Sequence, residues 1–447
     1  PPRSTGSRVW GEPAQWRPGL EQYLESAGED GRLNAVGVRN AQDAVIGKLR
    51  ARSIFDKTLR ENPPSVSERD VLPPIVIIGG WRTGTTFLYR LMARDPPRLR
   101  APRPVELYAP WRVAQLSTYE REQLIETQAA EPNPLHMLNP AMAAVHDSGP
   151  ALPEECVLGM GTTMRNWAFS STMRLDSYSR WLAGQDFAGE YAAHRTMLQI
   201  LDDGSRRRWL LKRRPTPPEL THLAQTYPGV CIVQLHRDIV ETVASGASLF
   251  ATYRSTYSDG VDGHDVGRFQ IEQSELWFRR ALEFRDSPAA ASATVLDIDY
   301  QDLVSRPKET VGRSMPRPMS NPPDISSMLI AHNAEQPRHG KGRHRYGPEE
   351  FGIDPRRLAR TDGVLHRRRR RVDVTPGVLR AGRRPVALVY PTSRFLARTS
   401  SSGVTVAVSD SGGRDGRCHV GRGRDGCPVG AVAGGATFGL RSRRSHG

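Results

Sequence analysis

Residues 74–94 read PIVIIGGWRTGTTFLYRLMAR, and this stretch decides the fold. Residues 75–78 form an unbroken run of β-branched residues, which predicts a strand buried on both faces and therefore a parallel sheet. Two glycines after the run permit a sharp turn, and beyond Gly84 the apolar residues recur at helical spacing. The stretch thus predicts a strand, a loop and a helix in succession.

The loop between this strand and helix has the composition of an anion-binding site. Backbone N–H groups at a helix N-terminus, together with the helix dipole, attract a phosphate-like anion. The loop adds one cation and three hydroxyls, from Arg82, Thr83, Thr85 and Thr86. The glycine spacing matches a nucleotide-binding P-loop, but Thr85 stands where that motif has its lysine, which disfavours an ordinary NTPase. The alternative interpretation is a tight structural turn without a ligand.

The sequence RTGTT after a hydrophobic strand resembles the 5′-phosphosulfate loop of sulfotransferases, which use 3′-phosphoadenosine 5′-phosphosulfate (PAPS) as donor. The resemblance is to a bacterial family with a PRTGTT loop. In this chain Trp81 stands in place of the usual proline. It implies an α/β, P-loop-like sulfotransferase fold, a parallel sheet with helices on both faces. The loop residues that would bind the donor are Arg82, Thr83, Gly84, Thr85 and Thr86.

A second anion-binding segment follows the predicted strand VCIVQLH at residues 230–236. Asp238 and Glu241 have the spacing of a capping box, which predicts a helix start. The segment resembles the sulfotransferase helix that holds the nucleotide 3′-phosphate, and Arg237 and Ser245 stand at the two phosphate-binding positions of that helix. The alternative interpretation is a strand end with a surface ion pair.

Three residues are candidate catalytic groups. The strand WLLK at residues 209–212 resembles the family strand whose lysine contacts the sulfuryl group, and Lys212 occupies that position. His146, followed by the pair Glu154-Glu155, resembles a family pattern and is a candidate general base. Glu106 could accept a hydroxyl proton if its pKa were raised toward the working pH. The structural alternatives are a histidine bonded to a loop carbonyl and a solvated or capping glutamate.

Two segments depart from the family pattern. Residues 213–218, RRPTPP, stand where the family has Ser-Pro and then a histidine, and residues 312–321 replace an expected helix. A compensated reading-frame error would explain the first segment; if it is genuine, the expected base is absent and the activity comes into question. Resemblance returns at residues 326–354, where a basic loop resembles one that closes over the 3′-phosphate. Its cations are Lys341, Arg343 and Arg345, and the alternative is a solvated loop.

Composition divides the chain into three parts. Residues 1–70 are predicted to be a helical cover, residues 71–357 the sulfotransferase domain, and residues 358–447 a disordered Arg/Gly-rich tail. The tail contains 18 Arg, 5 Asp and no Lys or Glu, so it carries +13 of the formal +15 charge. The nearly neutral body does not predict nucleic-acid binding. We interpret the tail as out-of-frame translation; the alternative is an arm that binds nucleic acid.

The cysteines and the apolar segments indicate the compartment. Cys156 and Cys231 lack CxxC spacing and a nearby histidine pair, so we expect neither a zinc site nor a disulfide framework. Residues 1–13 lack the apolar core of a secretory signal, and no apolar run approaches the ~20 residues of a membrane span. The sequence therefore predicts a cytoplasmic protein.

The predicted activity is transfer of a sulfuryl group from PAPS to a hydroxyl or amine of a small-molecule, lipid or glycan acceptor, without a metal. The resemblance implies that a base removes the acceptor proton while Arg82, Lys212 and the loop N–H groups stabilise developing charge. One alternative is a P-loop nucleotide kinase, and another is a nucleic-acid-binding protein that acts through its tail. No short motif encodes the acceptor.

Overall fold

The computed structural model describes residues 11–61, 66, 68–213, 219–315, 323–335, 346–356 and 358, and the backbone of 432–433 and 436–437. Several predictions fall outside this part of the chain. They concern Lys341, Arg343 and Arg345, the segment 214–218, residues 316–321 and nearly all of the tail.

The centre of the described structure is a parallel sheet. Its strands are β1 (Ile75–Gly79), β2 (Leu99–Arg100), β3 (Arg208–Arg213), β4 (Val230–His236) and β5 (Ala293–Asp299). Their order in the sheet is β2-β3-β1-β4-β5, with all four pairs parallel. The strand predicted from the β-branched run therefore lies in the middle, where Ile77 is opposite both Lys212 and Val233.

Helices cover both faces of this sheet. Val76 and Ile78 belong to one apolar cluster and Ile75 and Ile77 to another, because successive side chains of a strand point to opposite faces. The helix bounds are α1 Pro13–Glu29, α2 Ala35–Glu61, α3 Thr85–Met92, α4 Pro104–Tyr108, α5 Pro110–Val113, α6 Thr118–Ala129, α7 Pro134–Leu138, α8 Met142–Val145, α9 Phe169–Thr172, α10 Asp176–Leu182, α11 Ala188–Leu201, α12 Leu220–Thr226, α13 Ile239–Tyr257, α14 Gly263–Arg285, α15 Tyr300–Ser305, α16 Pro307–Ser314 and α17 Ile325–Glu335.

Short elements complete the described structure. The 3-10 turns are Cys156–Gly159, Pro288–Ser292 and Pro348–Phe351. Two-residue strands β6 (Val432–Ala433) and β7 (Ala436–Thr437) pair antiparallel within the segment predicted to be a tail. No helix in the described ranges is long and apolar enough to cross a membrane.

The prediction that residues 312–321 are not helical is partly wrong. The segment 312–321 was expected to replace a helix, yet α16 continues through its first three residues and ends at Ser314. Val311 and Ser314 are buried, and Ser314 Oγ donates a hydrogen bond to Thr310 O at 2.9 Å. Packing of this face against the sheet stabilises helix despite the unfavourable local sequence.

Candidate functional site

The loop between β1 and α3 is closed by backbone geometry that its sequence supplies. Arg82 and Gly84 have left-handed backbone conformations, with φ of 56° and 88°. A Cβ on Gly84 would lie 2.8 Å from the flexible end of Leu303, which can move aside, so it is the left-handed conformation that favours glycine there. Thr83 Oγ1 donates a hydrogen bond to Gly80 O at 2.8 Å and holds the turn together. Because the first N–H groups of a helix have no partner within it, the start of α3 is suited to an anion.

Lys212 lies against this loop because β3 pairs directly with β1. Its Nζ donates a hydrogen bond to Thr86 Oγ1 at 3.1 Å and forms an ion pair with Glu155 Oε1 at 3.3 Å. The side chain is 2% exposed, and Nζ lies 5.7 Å from the centre of the Tyr89 ring. The structure thus brings the predicted lysine to the predicted loop, and adds Glu155 to the group.

Arg237 reaches the same loop from the other side, because β4 is the second neighbour of β1. Its Nη1 donates to Arg82 O at 2.9 Å, and it also pairs with Glu241. The guanidinium carbon lies 4.4 Å from the centre of the Tyr300 ring. The predicted helix start is confirmed, since Asp238 Oδ1 accepts a hydrogen bond from Glu241 N at 2.9 Å.

Ser245, the predicted partner of Arg237, lies two turns into α13 and is buried. The next residue, Gly246, accommodates the tryptophan that replaces the usual loop proline, because a Cβ there would lie 2.1 Å from Trp81 Cδ1. Trp81 Nε1 donates to Gln270 Oε1 at 2.9 Å, and the ring packs edge-on against Phe250 with centroids 5.2 Å apart. The substitution therefore ties the loop to α13 and α14.

A cavity of about 140 Å³ lies beside the loop. Its walls come largely from α2, the 3-10 turn at Cys156–Gly159, α9, α13 and α14, and seven aromatic side chains line it. The aromatic residues are Trp81, Tyr108, Trp167, Phe169, Phe250, Tyr253 and Trp277; the charged or titratable ones are Lys48, His146, Glu154 and Glu155. Glu155 connects the cavity to Lys212.

His146 is the predicted base that the structure places at this cavity. Its Nε2 lies 3.7 Å from Glu154 Oε2, and its ring centre lies 6.0 Å from that of Tyr253. The imidazole side chain is 16% exposed. The imidazole and the Glu154 carboxylate therefore lie side by side in the wall of the cavity.

Glu106 does not join His146 and Lys212. It is not among the residues that line the cavity. Its Oε2 accepts a hydrogen bond from Arg103 N at 2.9 Å, and its Oε1 pairs with Arg100 Nη2 at 3.1 Å and Arg121 Nη1 at 3.4 Å. Both carboxylate oxygens are therefore engaged: the bond from Arg103 N is the capping role that the sequence left as an alternative, and the buried ion pairs were not predicted.

Lys48 is a cavity residue that the sequence did not single out, because it belongs to the helical cover. Its Nζ donates a hydrogen bond to Leu158 O at 2.6 Å. Burial lowers the pKa of Lys48 to about 8, and the charge of Glu190 opposes this shift. The ammonium form therefore still predominates at neutral pH.

Arg213, the first residue of the departing segment 213–218, is integrated into the fold. Its Nη2 pairs with Glu219 Oε2 at 3.0 Å, and its Nη1 donates to Tyr191 OH at 2.9 Å. Glu219 also accepts a hydrogen bond from Trp167 Nε1, so the pair fixes one wall of the cavity. Burial raises the pKa of Glu219, and Arg213 opposes that shift.

The fold and this arrangement define an α/β protein of the P-loop-like class, with a glycine-containing loop at the carboxyl end of the central strand. The chain belongs to the sulfotransferase family, since the pattern described as "Sulfotransferase family" matches residues 73–313. No curated protein sequence matches the chain.

Two solved structures are similar to it. For the crystal structure of sulfotransferase STF1 from Mycobacterium tuberculosis, the TM-score is 0.65 at 23% identity, over 80% of this chain and 94% of that one. For the crystal structure of sulfotransferase STF9 from Mycobacterium avium, the TM-score is 0.62 at 19% identity, over 79% of this chain and 91% of that one. At these identities the likeness establishes the fold, a P-loop-like sulfotransferase fold, as predicted.

Proposed function

We propose that the protein transfers a sulfuryl group from PAPS to a hydroxyl or amine of a small acceptor. The observation that carries this proposal is the meeting of three features at one edge of the sheet: the loop at residues 82–86, Lys212 and Arg237. Lys212 contacts Thr86 and Arg237 contacts Arg82 O. Open α/β sheets bind their ligands at the carboxyl ends of the strands, and membership of the sulfotransferase family supports this donor.

The proposed donor site has two ends. The 5′-phosphosulfate would lie on the loop at residues 82–86 and the start of α3, and the 3′-phosphate on Arg237 and Ser245. Arg237 would exchange its bond to Arg82 O and its pair with Glu241 for the phosphate, while Tyr300 keeps the guanidinium near the loop. The basic residues Lys341, Arg343 and Arg345 remain proposed for the 3′-phosphate end.

The transfer step would use Lys212 beside the loop and His146 and Glu154 in the wall of the cavity. The acceptor oxygen or nitrogen would form a bond to sulfur while the bond from sulfur to the bridging phosphate oxygen breaks. Lys212 would stabilise the negative charge that develops on that leaving oxygen. The acceptor proton would go to His146, with Glu154 stabilising the imidazolium. Glu155 is the less suitable base because it is paired with Lys212.

We also propose that the reaction takes place in a reducing cytoplasm. Cys156 is buried and Cys231 is partly buried, and both are free thiols in the described part of the chain. Structural disulfides are typical of oxidising compartments, and these thiols are consistent with a reducing one.

Replacement of Arg237 by alanine should weaken binding of adenosine 3′,5′-bisphosphate. A charge-assisted contact to phosphate contributes roughly 1.5–3 kcal/mol, so the dissociation constant should rise by about tenfold to a hundredfold. Ser245→Ala should raise this dissociation constant by less, because a hydroxyl contact to phosphate is uncharged. Isothermal titration calorimetry measures both.

The matched control for Arg237→Ala is Arg306→Ala. Arg306 directly precedes α16, and its side chain is 64% exposed. It should leave the affinity unchanged. Adenosine 5′-phosphate is the control ligand, because it lacks the 3′-phosphate. Equal affinity of the parent protein for the two nucleotides would show that the 3′-phosphate site is assigned wrongly.

A further inference from the structure

The wall of the cavity that α2 forms contains a cation, Lys48, that has no carboxylate ion-pair partner among the described residues. Lys48 Nζ donates to Leu158 O, and no carboxylate of the described residues lies within ion-pair distance of it. Glu190 is close enough to influence its pKa, but that carboxylate accepts hydrogen bonds from Gly161 N at 2.8 Å and Thr163 N at 2.6 Å, and also from the Thr163 hydroxyl. Lys48 is therefore available to an anionic ligand.

Two more polar groups of this cavity wall lack partners. Asn40 is 5% exposed and Trp277 is 4% exposed, and in the described structure Asn40 Oδ1 and Trp277 Nε1 have no hydrogen-bond partner. A buried polar atom left unpaired is unfavourable. A ligand carboxylate can accept a hydrogen bond from Trp277 Nε1, whereas Asn40 Oδ1 is itself an acceptor and needs a donor group of the ligand.

The rest of the cavity suits one aromatic ring. A volume of about 140 Å³ is close to that of an engineered cavity of about 150 Å³ that binds benzene. Trp167, Phe169 and Phe250 line it, and aromatic side chains pack favourably against a flat ring. The 3-10 turn Cys156–Gly159 follows directly on Glu155. A 3-10 helix rises about 2 Å per residue, so Leu158 lies about 6 Å from Glu155 along this turn. A para-substituted benzene ring spans such a separation.

We propose that the acceptor is a phenol with a carboxylate at the opposite end of its ring. This inference rests on the proposed function. The carboxylate bonds to Lys48, the ring lies among the aromatic residues, and the hydroxyl lies near Glu155 and Lys212. In transfer, the phenolic oxygen forms the new bond to sulfur, the bond from sulfur to the leaving phosphate breaks, and the phenolic proton goes to His146.

Two probes with the same phenol ring test the inference. They are 4-hydroxyphenylacetate and 4-methylphenol, which differ in the carboxylate. Binding is measured by tryptophan fluorescence, since Trp81, Trp167 and Trp277 line the cavity, with and without saturating adenosine 3′,5′-bisphosphate. The parent protein should bind the carboxylate probe about tenfold or more tightly. Lys48→Met should remove this preference and leave the affinity for 4-methylphenol nearly unchanged.

Lys57→Met is the matched control, because Lys57 lies on the same helix with a side chain 68% exposed, and it should retain the preference. Equal affinity of the parent for both probes, no binding of either, or an equal loss of both in Lys48→Met would overturn the inference. These results would leave donor binding untouched. Conversely, a carboxylate preference without any binding of adenosine 3′,5′-bisphosphate would contradict the proposed function and leave the aryl carboxylate site standing.

Discussion

Replacement of Lys212 by methionine should lower kcat for sulfuryl transfer from PAPS by about 10²–10³-fold, the effect of removing one donor that stabilises transition-state charge. Lys212 Nζ lies 3.1 Å from Thr86 Oγ1 in a side chain that is 2% exposed, so no water can readily replace it. Methionine keeps an unbranched side chain of similar length in the buried strand. The readout is release of adenosine 3′,5′-bisphosphate from PAPS with phenols as acceptors.

The affinity for adenosine 3′,5′-bisphosphate should fall much less than kcat in Lys212→Met, because the charge on the leaving oxygen develops in the transition state. Lys57→Met is again the control and should keep the parent rate. A folded Lys212→Met protein with a kcat within about twofold of the parent's would remove Lys212 from the transfer step.

Replacement of Arg213 by alanine should lower the free energy of unfolding by about 3–5 kcal/mol, the cost of breaking a buried ion pair by removing one partner. The Arg213 and Glu219 side chains are 5% and 2% exposed. Without Arg213, the Glu219 carboxylate would remain buried with the Trp167 indole as its hydrogen-bond donor. Urea denaturation measures the loss.

The pH dependence of this loss has a definite sign. Burial already raises the pKa of Glu219 above its unfolded value, and removal of Arg213 raises it further. The difference in the free energy of unfolding between the parent and Arg213→Ala should therefore be largest above the pKa of Glu219 in the folded variant. It should shrink as the pH falls through that pKa, because a protonated carboxyl needs no counter-charge.

Two variants check the interpretation of the Arg213 loss. Arg17→Ala removes an exposed i,i+4 pair with Glu21, with side chains 67% and 62% exposed, and should cost only about 0.3–0.5 kcal/mol. Adding Glu219→Gln to Arg213→Ala should recover part of the stability, since the buried charge is removed. A loss below about 1 kcal/mol in Arg213→Ala would mean that the pair does not stabilise the fold.

The central strand and its loop could be predicted from sequence because their signals are local. A β-branched run, a glycine turn and helical periodicity lie within 21 consecutive residues, and the structure confirms each element. Lys212 and Arg237 could be placed because each follows or ends a predicted strand, and parallel strands present those ends at one edge of the sheet.

The cavity could not be predicted, because its walls come from segments far apart in the sequence. Lys48 lies on a polar helix where an exposed lysine is ordinary, and its contact with Leu158 O joins residues 110 positions apart. The role of Glu106 could not be predicted for the same reason, because one of its ion-pair partners, Arg121, belongs to another helix. Arg213 was interpreted as a departure from the family, and only its buried pair with Glu219 indicates a place for it in the fold.

The most direct test of the proposed PAPS site is the melting temperature of the protein with adenosine 3′,5′-bisphosphate and, separately, with ATP and Mg²⁺. A ligand that binds only the folded state, at 100 times its dissociation constant, stabilises it by about 2.7 kcal/mol, which corresponds to a shift of about 4 °C for a domain of this size. We expect such a shift with millimolar adenosine 3′,5′-bisphosphate and a smaller one with ATP. No shift with the bisphosphate in a folded sample, or a larger shift with ATP, would contradict the proposed PAPS site.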